Sequence, residues 1–388
     1  MNIARQIDVS ERPSIAIIGG GPGGLTAANV LSLHGWQFDL FEADSSRTSR
    51  DQGGSLDLHP EDGQVALKRA GLLDAFLAVA RHEDQEQRVR DFATGNLLRE
   101  EIPEPGSGSR PEIDRMVLRE LMLAHLAPQT MHWGTRIDQV LGRTDGRYEL
   151  KSEAGTFGPF DVVIGADGAW SKSRELLTDV RPSYTGKTFV ELWLSDVDRC
   201  HPSLSSLVGR GTMFSLHGGA GLIAQRNGNA SIRVYAAFQT RPEESDRPDK
   251  ILANIDKSRL SARFSGWAPS LLALISESDE IAAVRPISSI PLPLNWPHRD
   301  GLTLIGDAAH VMPPLGVGVN LAMLDASDLA LALISNDDWR IAQHQYEKLM
   351  FERTTPVLQQ ITATFDEWFG DDASQVIMDD FDSHWREE

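Results

Sequence analysis

Ser14-Ile-Ala-Ile-Ile-Gly-Gly-Gly-Pro-Gly-Gly24 is followed by a helix-like stretch, residues 25–34, and then by Gln37-Phe-Asp-Leu-Phe-Glu42. The opening run is short, apolar and rich in isoleucine, the pattern of a strand buried on both faces. Glycines stand at 19, 21 and 24, between this strand and the helix. Strand, glycine turn, helix and second strand form a βαβ unit of the kind that holds a dinucleotide. Gly19 permits the tight turn, Gly21 lets a pyrophosphate approach the backbone, and Gly24 allows the helix to close onto the sheet. Glu42, at the end of the second strand, offers a carboxylate to a ribose hydroxyl. The triplet by itself does not distinguish FAD from NAD.

Two further strand-to-loop junctions lie downstream. Asp161-Val-Val-Ile-Gly-Ala-Asp-Gly168 is a buried strand ending in Asp167-Gly168, after which Ser171 and Arg174 open a helix. Residues 302–305 form another such strand, leading into Gly306-Asp307-Ala-Ala-His310 and a Gly/Pro loop before a helix at about 319–334. His310 reads as a loop-ordering residue rather than a catalytic one. Helical spacing covers residues 62–80 and about 114–126, and 339–369 reads as a long amphipathic helix before an acidic tail expected to fray. Between about 183 and 291 the pattern changes to short β-like segments (188–194, 213–216, 231–238) separated by Gly, Asn and Pro, the pattern of an antiparallel sheet.

The fold class expected is therefore α/β: a Rossmann-type domain interrupted by an inserted antiparallel β-sheet substrate domain, with a long C-terminal helix. The division expected is 1–72, 107–180 and 295–335 for the nucleotide domain, 73–106 and 181–294 for the substrate domain, and 336–388 for the bridging helix and tail.

Composition sets outer limits. The 388 residues carry a net charge of −19, which repels nucleic-acid backbones and excludes them as partners. Cys200 is the sole cysteine, so no internal disulfide forms and a reducing cytoplasm is expected. The first twelve residues lack a secretory h-region, and no apolar run of about 18–20 residues is expected to span a bilayer. The histidines and lone cysteine show no zinc-like spacing, so no metal is expected. No Gly-x-Ser-x-Gly elbow is present, against an α/β-hydrolase.

The order of the three motifs, glycine triplet, Asp167-Gly168 and Gly306-Asp307, resembles the group A FAD-dependent aromatic hydroxylases of the para-hydroxybenzoate hydroxylase fold. Within that group, Gly53-Gly-Ser-Leu-Asp-Leu-His59, Lys68-Arg-Ala-Gly-Leu-Leu73, Arg110-Pro-Glu-Ile-Asp-Arg115 and Gly306-Asp-Ala-Ala-His-Val-Met-Pro-Pro314 are most similar to the tetracycline-inactivating flavin monooxygenases. The resemblance implies non-covalent FAD, with Glu42 on the ADP part, Asp167 and Gly168 near the pyrophosphates, and Asp307 on the ribityl chain. It also implies that Arg115 contacts FAD, Asp57 lies beside the flavin, and Arg50 helps place flavin or nicotinamide. Pro314 falls beside the flavin and Leu315 toward the substrate. His217 and Glu191 fall at or near substrate positions, with Glu191 an approximate replacement for the subgroup's glutamine; Met213 reads from its own pattern as a packing residue or a wall of an apolar substrate pocket. The loop Pro313-Pro-Leu-Gly-Val-Gly-Val-Asn320 is one residue shorter than the usual family loop, with leucine and valine where phenylalanine and glutamine are common.

A helix beginning near Gly318, Val319 and Asn320 would present backbone N–H groups and a positive dipole end to the flavin pyrimidine. The function implied is NAD(P)H- and O2-dependent hydroxylation, NADPH favoured, of a phenolic or enolic polycyclic substrate through a flavin C4a-hydroperoxide. No catalytic side chain is obligatory, because the flavin carries the chemistry. A monomer acting on a small aromatic or polyketide molecule, tetracyclines included, is expected. The alternatives are a hydroxylase of another aromatic metabolite, a flavin dehydrogenase, and a flavin-binding sensor that does not turn over.

Overall fold

The computed structural model describes residues 12–49, 53–83, 85–103, 109–240 and 255–384. The chain divides into two compact units. Met1–Ala80, Arg115–Ser183 and Ser289–Gln360 make the first; Arg81–Asp114, Tyr184–Ser288 and Ile361–Glu388 make the second.

The first unit is built on a parallel sheet of β1 (Ile15–Ile18), β2 (Asp39–Phe41), β3 (Met131–His132), β4 (Val162–Gly165) and β5 (Leu302–Leu304). The order is β5-β4-β1-β2-β3, with Ile15 opposite Val162 and Val163 opposite Leu302. Every residue of β1, β4 and β5 is buried, which is why these strands read as continuous apolar runs rather than alternating ones. Helix α1 (Pro22–Leu33) follows β1 and packs against the helix Gly318–Ser335; a Cβ at Gly23 would lie 3.2 Å from the Ala322 carbonyl oxygen.

The single helix expected over 62–80 is two, Gly63–Arg69 and Leu73–Leu77. Gly71 stands between them at φ +72°, its N–H donating to the Lys68 carbonyl while the Leu72 N–H donates to that of Leu67. That pair of bonds is a Schellman closure, and it stops a helix whose apolar spacing would otherwise run on.

The second unit holds a seven-stranded sheet in the order Glu280–Ser289, Ser183–Leu194, Ser231–Gln239, Ala220–Asn227, Gly211–His217, Glu86–Arg90, Leu97–Glu101. The expected antiparallel arrangement needs one correction: Gly211–His217 runs parallel to Glu86–Arg90. These strands are far apart in sequence, so no hairpin dictates their direction. Gly211 permits the contact, since a Cβ there would fall 1.9 Å from the Glu86 carbonyl oxygen.

Among the described residues the β-rich region also holds short helices that its pattern does not signal, Pro202–Val208, Lys257–Arg263 and Pro269–Ser276 among them. Leu204, Leu260, Leu271 and Leu274 from these helices, with Phe264 just after the second, join Met213, Leu222 and Val234 of the sheet in one buried core. Leu216 and Val89 instead pack with Ala373 and Ile377. The tail expected to fray thus carries a docked helix, Ala373–His384. Acidic residues mask the few apolar positions that bury it.

Trp339–Glu367 forms the long helix, with Pro356 inside it. Gly318–Ser335 has 18 residues and a mean hydropathy of 1.4, which corrects the expectation that no segment reaches spanning length. Half of that window is buried within the protein, as a core helix requires.

Candidate cofactor site

The three motif glycines differ in what holds them. Gly19 has φ +107°, and a Cβ there would lie 2.2 Å from the Ala166 carbonyl oxygen. At Gly24 a Cβ would lie 1.9 Å from the Gly19 carbonyl oxygen. Chain packing alone therefore demands glycine at both positions. Gly21 has no atom within 4 Å of its would-be Cβ. It is the N-cap of α1, with no side chain capping the helix, so the first N–H groups face outward unpaired. A bare cradle at the positive end of a helix suits a phosphate. A cavity of about 540 Å³ opens there, lined by the glycine turn, Glu42, Arg136, Ile137 and the Asp167–Arg174 loop.

Glu42 is buried in the wall of this cavity, its Oε2 accepting from the Gly20 N–H (2.7 Å) and its Oε1 from the Asp44 N–H (2.8 Å). Asp167 organises the next loop by accepting from Ser171 Oγ (2.6 Å) and from the Lys172 N–H (2.7 Å). Gly168 follows at φ +78°. Arg174 is buried, and its guanidinium donates to the carbonyl oxygens of Ala169 (2.7 Å), Ala308 (2.8 Å) and Asp307 (2.9 Å). The second and third motifs are thereby tied through one side chain. Burial pulls the Arg174 guanidinium below its ordinary value, against the opposing charges of Asp167 and Asp307. Arg174 was absent from the expected site residues. Its signal, an arginine six residues past Gly168, is indistinguishable in sequence from a surface charge.

Asp307 is exposed at the start of the short helix Asp307–His310. His310 is fully buried, its Nε2 lying 2.5 Å from Asp325 Oδ2. Asp325 Oδ1 accepts from Arg353 (2.7 Å), which also donates to Asp328 (2.7 Å). Burial would push the Asp325 carboxyl up, but His310 and Arg353 outweigh it and hold the group below the usual range. His310 is thus committed to an internal charge network beneath the loop.

A second neighbourhood joins residues 57–59 to the loop before the helix Gly318–Ser335. Asn320 Oδ1 accepts from the His59 N–H (2.9 Å), and its Nδ2 donates to the Asp57 carbonyl (3.0 Å). The Asn320 side chain is therefore spent on ordering this loop, leaving its backbone N–H as the group available to a ligand. The first intrahelical bond runs from the Leu321 N–H to the Val317 carbonyl, so the N–H groups of Gly318, Val319 and Asn320 precede it. Asp57 is half-buried, with its Oδ2 3.0 Å from His59 Nε2. Leu315, Gly318 and Val319 are half-buried and Pro314 is exposed. The Arg115 N–H donates to the Gly54 carbonyl (3.0 Å), and its side chain is exposed. Arg50 lies outside the described residues.

In the second unit the expected substrate positions differ in their surroundings. Met213 is fully buried in the core described above, so it packs rather than lines a site. Glu191 is buried and accepts from Arg233 Nη1 (2.6 Å) and from Arg285 Nε, which leaves its carboxylate occupied. His217 is exposed and stacked on Phe92, ring centroids 3.6 Å apart and nearly parallel.

Residues 12–338 match the family model described as FAD binding domain. Monooxygenase asqM of Emericella nidulans is 30% identical over 370 residues, covering 81% of this chain and 82% of that protein. The structure of Klebsiella pneumoniae HpxO complexed with FAD and uric acid superposes with a TM-score of 0.78 at 22% identity, covering 100% of this chain and 95% of that one. Tetracycline destructase Tet(55) gives a TM-score of 0.70 at 21% identity, covering 92% of this chain and 89% of that one. At such identities the two structures establish a shared fold. The match over most of the chain, joined to the open glycine cradle and the tied Asp-Gly and Gly-Asp loops, makes this protein a member of the FAD-binding domain family of flavin monooxygenases.

Proposed function

We propose that this chain uses FAD, NAD(P)H and O2 to hydroxylate a phenolic or enolic polycyclic substrate, with tetracyclines the first class to test and NADPH the favoured reductant. The FAD assignment is carried by the match of residues 12–338 to the FAD binding domain model, and Gly21 supports it: a glycine that nothing in the chain requires, at an uncapped helix start, beside an open cavity. When bound, FAD supplies the electron-transfer and oxygen-transfer chemistry. The turn Gly19 to Gly24 and the start of α1 would hold its pyrophosphate, and Glu42 its ribose. Asp167 and Gly168 would border the pyrophosphates and Asp307 the ribityl chain. The N–H groups of Gly318, Val319 and Asn320 would face the negative charge that develops on the reduced ring. Asp57, Arg115, Arg50 and Pro314 would flank the flavin, and His217 and Leu315 the substrate.

The remaining work of the protein is to exclude water and orient the acceptor carbon, which needs no dedicated acid or base. The tetracycline reading draws support from the stretches at 53–59, 68–73 and 110–115 and from the shared fold of Tet(55). The loop at 313–320 favours a second reading, hydroxylation of another aromatic or polyketide metabolite, because leucine and valine stand where phenylalanine and glutamine are common in the family.

Purified protein is tested for flavin absorbance and then offered a panel of tetracyclines and simple phenols, scored by NADPH consumption and product mass. Substrate-stimulated oxidation with a gain of one oxygen atom is the expected result. Colourless protein that cannot be reconstituted refutes the FAD reading, and product without added oxygen refutes the monooxygenase reading.

A further inference from the structure

Away from the cofactor neighbourhood, the loop before β5 and the long helix Trp339–Glu367 bring His298, His344 and Glu347 together within the first unit. One ligand atom from each lies within 4.8 Å of those of the other two. We infer that this cluster is a binding site for a first-row divalent cation, with Zn2+ the best match, which staples the lead-in to β5 onto the long helix.

The donor set selects the metal. Two imidazoles and one carboxylate form a three-ligand zinc set with a fourth position for water. Mg2+ and Ca2+ demand six or more oxygen ligands, which two imidazoles cannot supply. Zinc bonds of about 2.0–2.2 Å place tetrahedral ligand atoms roughly 3.3 Å apart, so closure requires only ångström-scale side-chain shifts.

The surroundings are already organised for it. Glu347 is almost wholly buried, and Gln343 Nε2 donates to its Oε1 (3.1 Å), which turns Oε2 toward His298 Nδ1 (2.6 Å). Asp300 Oδ1 lies 3.0 Å from His298 Nε2, the carboxylate-behind-imidazole arrangement that orients a ligating histidine. Both ring nitrogens of His298 face carboxylate oxygens, and a cation binding here would take the place of the ring proton held between Nδ1 and Glu347. Gln343 also accepts from the Gly301 N–H (2.8 Å) and donates to the Leu302 carbonyl (2.9 Å), so the loop carrying His298 is fixed against the helix beforehand. His344 is exposed and meets His298 edge to face at 4.6 Å, free to turn a ring nitrogen inward. Linear spacing hides this site, because His298 lies far from the His344-x-x-Glu347 pair along the chain.

The test uses the full FAD-loaded chain after chelator treatment, titrated with Co2+. One equivalent should give the strong visible absorption of four-coordinate cobalt, which Zn2+ displaces and excess Mg2+ does not; Zn2+ should also raise the melting temperature. His344→Ala, at an exposed position, should lose the cobalt band while its metal-free melting and flavin absorbance stay at the wild-type values. A wild-type protein that shows only the weak spectrum of hydrated cobalt overturns the assignment. So does a His344→Ala variant that binds cobalt as the wild type does.

Discussion

Replacing Gly21 and Gly24 separately by alanine should divide folding from cofactor binding. At Gly21 the backbone angles (φ −79°, ψ −178°) suit alanine, and no atom lies within 4 Å of the new Cβ. Alanine stabilises by restricting the unfolded chain, about 0.4–1 kcal/mol, and loses a similar amount as a poorer N-cap than glycine. The apoprotein should therefore melt where the wild type does, its stability shifted by less than about 0.5 kcal/mol. The added methyl nevertheless occupies the surface a pyrophosphate must approach. Losing one charge-assisted backbone contact, about 1.5–3 kcal/mol, weakens FAD by roughly ten- to 150-fold. Gly24→Ala acts the other way, because its Cβ lies 1.9 Å from the Gly19 oxygen and the helix must lift away from the turn. Overpacking of that kind costs about 1–3 kcal/mol, a melting decrease of roughly 2–12 °C. Apoprotein melting and titration by flavin fluorescence quenching measure the two effects independently. Wild-type FAD affinity in Gly21→Ala, or wild-type melting in Gly24→Ala, would refute the reasoning.

Arg174→Met removes the donor shared by Ala169, Asp307 and Ala308. It should cost about 3 kcal/mol or more in urea unfolding of the apoprotein, and lysine, lacking the planar fork, should recover only part. A variant as stable as the wild type would mean the three bonds are dispensable. Asp325 is held below the ordinary carboxylate range, so its contribution is full above about pH 4 and is lost as pH falls through the depressed value. Asp325→Asn should accordingly melt well below the wild type near neutrality, and the gap should narrow in acid; a gap independent of pH would count against the His310–Asp325–Arg353 account. Gly318 has open space where a Cβ would stand, so Gly318→Ala should leave apoprotein melting near the wild-type value, and Gly318→Trp should lower the flavin-to-protein absorbance ratio. Normal loading would separate the helix start from the flavin.

Strands β1, β4 and β5 of the parallel core were legible because they are buried on both faces and each ends at a motif whose residues do a local job, whereas the two-residue, half-buried β3 carries no such signal. Gly19 and Gly24 could be assigned from spacing because the collisions that demand glycine are made by the turn itself and the strand beside it. Arg174, His310 and Asn320 could not be assigned their partners, because those partners lie on separate loops and helices that only folding brings near. The setting of Glu191 was hidden for a related reason. A strand position gives the alternation of faces, but not which face carries helices or whether Arg233 and Arg285 wait beside a carboxylate. The break at Gly71 was hidden by apolar spacing that continues past it, and the docked tail by acidic residues surrounding Ala373 and Ile377.

The reach of Arg174 also bears on how such a protein can change. Because one guanidinium grips backbone oxygens on both the Asp167–Arg174 loop and the Asp307–His310 helix, the resting shape of each segment is set in part by the other. A chimera that imports only one of them from a relative inherits a half-fitted junction, whereas exchanging both together preserves the mutual fit. Drift in either segment is thus filtered by its companion, and the pair behaves as one heritable module split by more than a hundred residues of intervening chain.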